Sequence, residues 1–407
     1  MPVSVRRSQI EGIARHGRLR QRGAVRGLLT VLAASLAVLL VSTIAVAGIA
    51  VWQLSSRVAG NSIDIAGPDG APPPPNLGAF ESGFNILIVG ADNDADQGVA
   101  YGERDATLND VNILVHVSAD HSNAVVVSIP RDLIVAHPEC TNADTGETFG
   151  AMSAAPVNEA MARGGLPCVV STVAGLTGLD IPYAGLTSFN GVVQMSDAIG
   201  GVPICLTEAI DDPLADLSLP AGPNVVSGAT ALGFLRSRKG GDGSDLTRIS
   251  SQQIYLASLM RTVQADGTLT DLSKLYALAN AASQNIKLSS ELARTDTMVS
   301  MALALKDLDL ERMVFVQYPG TTDDPNFPGK VVPTQYLADE LFAKIAADEP
   351  FSLAPEVPAE EPVEADPPVE APEGTVPPET VEAAPEAIDG LTGRTAGDES
   401  CAQASVG

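Results

Sequence analysis

The chain is poor in the residues that hold nucleic acid. Lys and Arg number 24 against 50 Asp and Glu, for a formal net charge of −26 over 407 residues, and aromatics make up 4%. A nucleic-acid partner needs a basic surface and, for single strands, rings to stack on. Both are in short supply, which excludes that class of partner. Cysteine is also sparse: Cys140, Cys168, Cys205 and Cys401 are the four, and their spacing is not that of a zinc knuckle. No internal repeat is evident, and fibrous and coiled-coil classes do not fit. The apolar fraction of 45% is still enough for a sizeable core.

Charge is missing altogether from Leu28 to Leu54. At ~1.5 Å per residue a helix of this length crosses a bilayer core of about 30 Å. Arg6, Arg7, Arg15, Arg18, Arg20, Arg22 and Arg26 precede it against Glu11 alone. The positive-inside tendency puts that end in the cytoplasm and the rest of the chain outside the cell membrane. The run exceeds a normal signal-peptide core, which favours an uncleaved single-pass anchor over a cleaved signal. The expected organisation is a basic cytoplasmic segment (1–27), a transmembrane helix (28–54), a flexible Pro/Gly-bearing linker (55–82), a folded domain (83–350) and a disordered acidic Pro/Glu-rich tail (351–407).

Within the folded region FNILIVG (84–90), VNILVHV (111–117) and AVVVSI (124–129) read as strands, and MVFVQYP (313–319) as a late one. Helices are expected at 155–163, 169–179, 245–263, 270–282, 289–305 and 336–347. The alternation predicts an α/β fold with a mixed central sheet flanked by helices. Polar residues gather at strand ends: Asp92 after the first strand, Asp110 before the second, and Arg131 and Asp132 after the third. Asp92 and Asp110 offer the hard oxygen ligands that suit Mg²⁺, and each is also explicable as a turn or cap residue.

Against the scarcity of cations, FLRSRKGGDGSDLTRISSQ (234–252) stands out. Arg236 and Arg238 are two apart, a spacing that in a strand puts both on one face. Asp245 is placed to cap a new helix, on which Arg248 and Gln252 share a side. Arginine forks suit phosphate oxygens, so the stretch reads as an anion site for phosphate or pyrophosphate, with a surface salt-bridge cluster as the alternative. Three cysteine pairings are possible in an extracytoplasmic domain. Cys140 with Cys168 is preferred because they bracket one loop–helix unit, Cys205 with Cys401 would tie the C-terminal end back, and free thiols are the alternative.

Taken in order, FNILIVGAD, LNDVNILVHVS, VVVSIPRDL, VNEAMARGG, GLTGL, FNGVVQMSDAIGGVPICL, VSGATALGFLRSRKG and DLTRISSQQ resemble the LytR–CpsA–Psr family over residues 84–263. High Ala, cysteines around the early loop and the acidic tail resemble its actinobacterial members. The resemblance implies a phosphotransferase outside the membrane. It would move a glycopolymer from a polyprenyl-pyrophosphate carrier onto peptidoglycan with Mg²⁺ or Mn²⁺. By position it implies Asp92 and Asp110 as metal-associated acids, and Arg236, Arg238, Arg248 and Gln252 as the pyrophosphate set. Arg131 and Asp132 would be catalytic, with Asp245 beside the acceptor hydroxyl. Two departures stand in this chain. Leu108-Asn109-Asp110-Val111 lacks the family's arginine, a role Arg104 would fill, and Pro156-Val157-Asn158 lacks its lysine. A carrier hydrolase, a non-catalytic wall-binding module and a membrane-tethered regulator or scaffold are the rival readings. A lipid tail also calls for an apolar groove, for which 169–179 and 246–263 are the candidate walls.

Overall fold

In the computed structural model the described residues are 24–65, 83–91, 107–143, 145–238, 245–265, 272–306, 308–354, 385–399 and 401. Helix α1 spans Ala24–Gly60. Among the described residues it is the one helix long and apolar enough to cross a membrane, from Gly27 to Gly60. The segment read as linker therefore begins in helix. It continues into a short docked stretch, where Ile63 bridges Ser289 and its N–H donates to the Leu288 carbonyl at 2.8 Å.

The strands that position the site and close the folded unit are β1 Phe84–Ala91, β2 Asn109–Val117, β3 Ala124–Ile129, β4 Tyr183–Ser188, β5 Val202–Leu206, β6 Ile210–Asp212, β7 Leu217–Leu219, β8 Gly222–Val226, β9 Ile286–Leu288, β10 Met313–Gln317, β11 Phe351–Leu353, β12 Glu386–Ile388 and β13 Gly393–Thr395, alongside further two-stranded pairs among the described residues. The helices are α2 Ala160–Thr177, α3 Phe189–Ile199, α4 Gly228–Arg236, α5 Asp245–Ala265, α6 Leu272–Asn285, α7 Thr295–Lys306 and α8 Gln335–Ala346. The segment expected as a helix at 155–163 starts instead as strand (Met152–Pro156) and one 3-10 turn (Val157–Glu159), and α2 runs on through a kink at Gly164 and Gly165.

The central sheet is mixed, with seven strands in the order β9-β4-β1-β2-β3-β10-β13. β1 runs parallel to β4, and β3 parallel to β10, while β2 is antiparallel to both its neighbours. The carboxyl ends of β1, β3, β4 and β10 and the amino end of β2 therefore share one edge. Strand alternation sends side chains to two faces. Leu87, Val89, Leu114, Val125, Val127 and Val316 form one core with α2 and α8. Phe84, Ile113, Val117, Val126 and Phe315 form a second with α5 and α7. A third cluster joins β5–β8, α4 and the outer side of α5. The groove expected between 169–179 and 246–263 is thus not formed as such, because α2 and α5 cover opposite faces of the sheet.

The tail expected from 351 is corrected in part. β11 pairs in parallel with β12, and β13 joins the central sheet beside β10. A Cβ at residue 393 would lie 2.1 Å from the Phe315 carbonyl oxygen, so only glycine lets the backbones meet there. Ile388 and Leu391 enter the first core. The Pro/Glu-rich run conceals these few apolar residues in a composition that otherwise reads as unfolded. Two disulfides are present, Cys140–Cys168 and Cys205–Cys401, with Cα separations of 5.6 and 4.5 Å.

Candidate active site

The site is built where β2 begins. The β1–β2 register runs Gly90↔Val111 and then Ala91↔Asn109, so Asp110 is left unpaired in a bulge. A bulge bends its strand and re-aims the side chain it carries. Asp110 is 7% exposed. Arg131 Nη1 donates to its Oδ1 at 2.8 Å, and Arg248 Nη2, from the first turns of α5, donates to its main-chain carbonyl at 2.8 Å. Two arginines from distant segments thus meet on one residue. Asn109 anchors the bulge from the other side. Its Nδ2 donates to Asn112 Oδ1 (2.7 Å) and to the Val157 carbonyl (3.2 Å), and its Oδ1 accepts from the Met161 N–H (3.2 Å).

Arg131 follows β3 directly. Its Nε lies 3.4 Å from Asp132 Oδ2, and Lys330 Nζ sits 2.6 Å from the other oxygen of Asp132. The Asn158 N–H donates to the Arg131 carbonyl at 3.0 Å. Asp132 is therefore held between two cations, an arrangement suited to orienting Arg131 rather than to taking a proton. Lys330 was missed in the sequence, as nothing local marks a lysine that acts 198 positions away.

Arg236 and Arg238 are not in a strand. Arg236 ends α4, Ser237 is extended, and Arg238 is exposed. The guanidinium carbon of Arg236 stands 4.9 Å from the centre of the Phe189 ring, a cation–π contact. Phe189 opens α3 immediately after β4, whose last residue pairs with Ala91. Arg236 thus lies at the β4 end and Arg248 at the β2 end, two strand spacings or roughly 10 Å across the sheet edge. Gln252, one turn beyond Arg248, donates from Nε2 to the Leu235 carbonyl at 3.4 Å and ties α5 to the end of α4. Asp245 is the first residue of α5 and its side chain lies outside the described residues, as do Asp92 and Arg104 entirely.

An apolar trough leads to this edge. β1 is an interior strand, yet Ile88 is 39% exposed. Across from it on the α5 face are Ile113 on β2 and Gly185 on β4, and Gly90 follows on the same face. Ile86, Val111 and Val115 lie partly buried around Ile88, and Val111 packs over Gly90 while Leu288 and Ile286 pack over Gly185. The floor runs along β1 toward the Asp110 bulge.

Among the described residues no group of three or more His, Cys, Asp or Glu is placed to hold a metal. Asp110 engages Arg131 through Oδ1 and, among those residues, has no partner on Oδ2.

The site thus sits at one edge of a mixed α/β sheet flanked by helices, with Arg131 and Arg248 meeting on Asp110. The chain belongs to the LytR_cpsA_psr family, whose model matches residues 70–341. It is 31% identical over 271 residues to the cell wall biosynthesis protein LcpA of Corynebacterium glutamicum, covering 60% of this chain and 52% of that protein. It is 22% identical over 241 residues to the polyisoprenyl-teichoic acid–peptidoglycan teichoic acid transferase TagT of Bacillus subtilis, covering 58% and 69%. The fold is shared with the LytR-Csp2A-Psr enzyme from Actinomyces oris, at a TM-score of 0.51 and 19% identity over 70% of this chain and 94% of that one. The chain spans about half the length of the Corynebacterium relatives it matches.

Proposed function

We propose that this chain is a membrane-held phosphotransferase that moves a glycopolymer from a polyprenyl-pyrophosphate carrier onto peptidoglycan. The observation that carries the reading is the Arg131–Asp110–Arg248 junction at the head of an apolar trough floored by Ile88. A lipid pyrophosphate has a dianionic head and a greasy tail, and this edge offers one surface for each. The name of the TagT relative, a polyisoprenyl-teichoic acid–peptidoglycan teichoic acid transferase, supports the same chemistry, and that of LcpA supports a role in cell wall biosynthesis. The arginine-rich N-terminus would face the cytoplasm, with the catalytic domain outside.

In this reading the pyrophosphate lies against Arg131, Arg236, Arg238 and Arg248, while Gln252 keeps the α4 end in register with α5. The first isoprene units rest on Ile86 and Ile88. A sugar hydroxyl of the wall attacks the sugar-linked phosphorus, and the bond from that phosphorus to the bridging oxygen breaks. Polyprenyl phosphate leaves and a phosphodiester remains. The hydroxyl proton passes to a carboxylate, assigned to Asp245. Charge growing on the leaving phosphate meets fixed guanidiniums in a site that needs no reorganisation. Asp132 acts through Arg131, which it orients. Carboxylates are the ligand type that suits Mg²⁺ or Mn²⁺, since such ions take one or two of them and complete their shell with substrate phosphate and water. Asp110 Oδ2 would be one ligand and Asp92 the second. When bound, the ion neutralises phosphate charge.

The test uses the full chain in detergent with a polyprenyl-pyrophosphate-linked glycan and a peptidoglycan fragment, with and without Mg²⁺, products being resolved by mass. A metal-dependent phosphodiester adduct with release of polyprenyl phosphate is expected. Free phosphorylated glycan without adduct would make the chain a hydrolase, and intact but tightly bound donor would make it a binding module.

A further inference from the structure

Between the two arginines at the end of α4 lies a residue that the proposed chemistry does not use. Ser237 is 1% exposed, and its Oγ donates to Asp212 Oδ2 at 2.8 Å. Asp212 ends β6, is 4% exposed, and comes from a hairpin 25 positions upstream. Its Oδ1 accepts the N–H groups of Leu214 (3.1 Å) and Ala215 (3.3 Å). Burial pushes this carboxyl up, and the hydrogen bonds from Ser237, Leu214 and Ala215 outweigh it and hold the group below the ordinary aspartate range. The fold thus keeps a buried anion there, which is costly unless its oxygens are satisfied.

What the anion fixes is the turn out of a helix. On a continuing α-helix residues two apart point ~200° from each other, whereas an extended residue breaks that rotation and re-aims the side chain that follows. Ser237 has φ −62° and ψ 139°, so α4 stops at Arg236. Of the three donors to Asp212 among the described residues, one is the Ser237 hydroxyl. We propose that Asp212 is a positioning residue. It holds Ser237 extended and so sets the direction of Arg238 relative to Arg236, matched to an anion with two phosphoryl groups. This inference rests on the pyrophosphate reading of the site.

The experiment compares farnesyl pyrophosphate with farnesyl monophosphate, titrated calorimetrically into the detergent-solubilised full chain. The wild type should prefer the pyrophosphate. Asp212→Asn keeps the shape and removes the charge. It should lower that preference about tenfold, the worth of one charge-assisted hydrogen bond network loosened, with monophosphate binding little changed. Ser237→Ala, which removes one hydroxyl, should lower it by about threefold and carries the test should Asp212→Asn not fold. Arg238→Ala should lower the preference too, and adding Asp212→Asn to it should have no further effect. A purely structural role would lower the melting temperature and leave the preference of the folded protein intact. A wild type that discriminates while Asp212→Asn and Ser237→Ala discriminate equally well overturns the inference and spares the pyrophosphate reading. A wild type that binds both lipids alike overturns both.

Discussion

Ile88 and Leu87 are neighbours on β1 that face opposite sides of the sheet, at 39% and 0% exposure. Truncating each to alanine separates a trough from a core. Leu87→Ala empties a sealed site, and such changes cost about 3–5 kcal/mol, the transfer loss plus a cavity. Ile88 has roughly three-fifths of its surface covered, and water enters the space its methyls leave. The cavity part then falls away, and the remaining transfer loss is about 1–2 kcal/mol. Urea unfolding of the two variants should therefore differ by about 1–4 kcal/mol. Function should rank them the other way. Lipid that lies over Ile88 loses contact in Ile88→Ala, so affinity for a long polyprenyl pyrophosphate should fall several-fold while inorganic pyrophosphate binds as before. In Leu87→Ala the folded fraction should keep its lipid affinity. Equal destabilisation of the two variants, with unchanged lipid affinity in Ile88→Ala, would refute the trough as a lipid surface.

Lys330→Ala frees one oxygen of Asp132 from a side chain that is 37% exposed, so stability should change by less than about 1 kcal/mol. Single-turnover transfer should slow by about tenfold as Arg131 loses its fixed orientation. His137 is buried, and burial and then the Arg163 guanidinium lower its pKa from 6.5. The unfolded chain then takes up a proton that the folded one resists. Stability contributed here is complete above pH 6.5 and is lost as pH falls from 6.5 toward the lower folded value. His137→Gln should flatten that acid limb in a pH series of melting temperatures. Replacing Cys205 and Cys401 by serine opens a loop of 196 residues and, by chain entropy, should cost about 5 kcal/mol; the same change at Cys140 and Cys168, 28 apart, should cost about 3.5 kcal/mol. Denaturation of the two double variants checks the order.

The strands that carry the site edge were legible because Leu87, Leu114 and Val127 sit in short apolar runs closed by turn residues. Arg131 and Arg248 were legible as rare cations in an acidic chain. What could not be read is where those cations go. The spacing of Arg236 and Arg238 suggests a strand, and the structure instead puts Arg236 at the end of a helix with one extended residue between the two. That residue is held by Asp212, whose own neighbours in sequence give no hint of the contact. The trough was anticipated on helices, yet it lies on β1, whose cross-strand neighbours are invisible to any local pattern. The end of the domain was misplaced for a similar reason: Ile388, Leu391 and Cys401 are isolated signals beyond a long Pro/Glu-rich run.

That C-terminal return changes what a peptide-bond cut would do. The stretch from 355 to 384 is bounded by β11 and β12, which lie side by side, and beyond it Cys401 is covalently joined to Cys205. Arg261 Nη1 further donates to the carbonyls of Ala396 (2.6 Å) and Asp398 (2.8 Å). A wall protease that nicked the Pro/Glu-rich stretch would not shed the C-terminal piece. It would yield a two-chain molecule that migrates as one band without reductant and as two with it. The sheet would keep its last strand throughout.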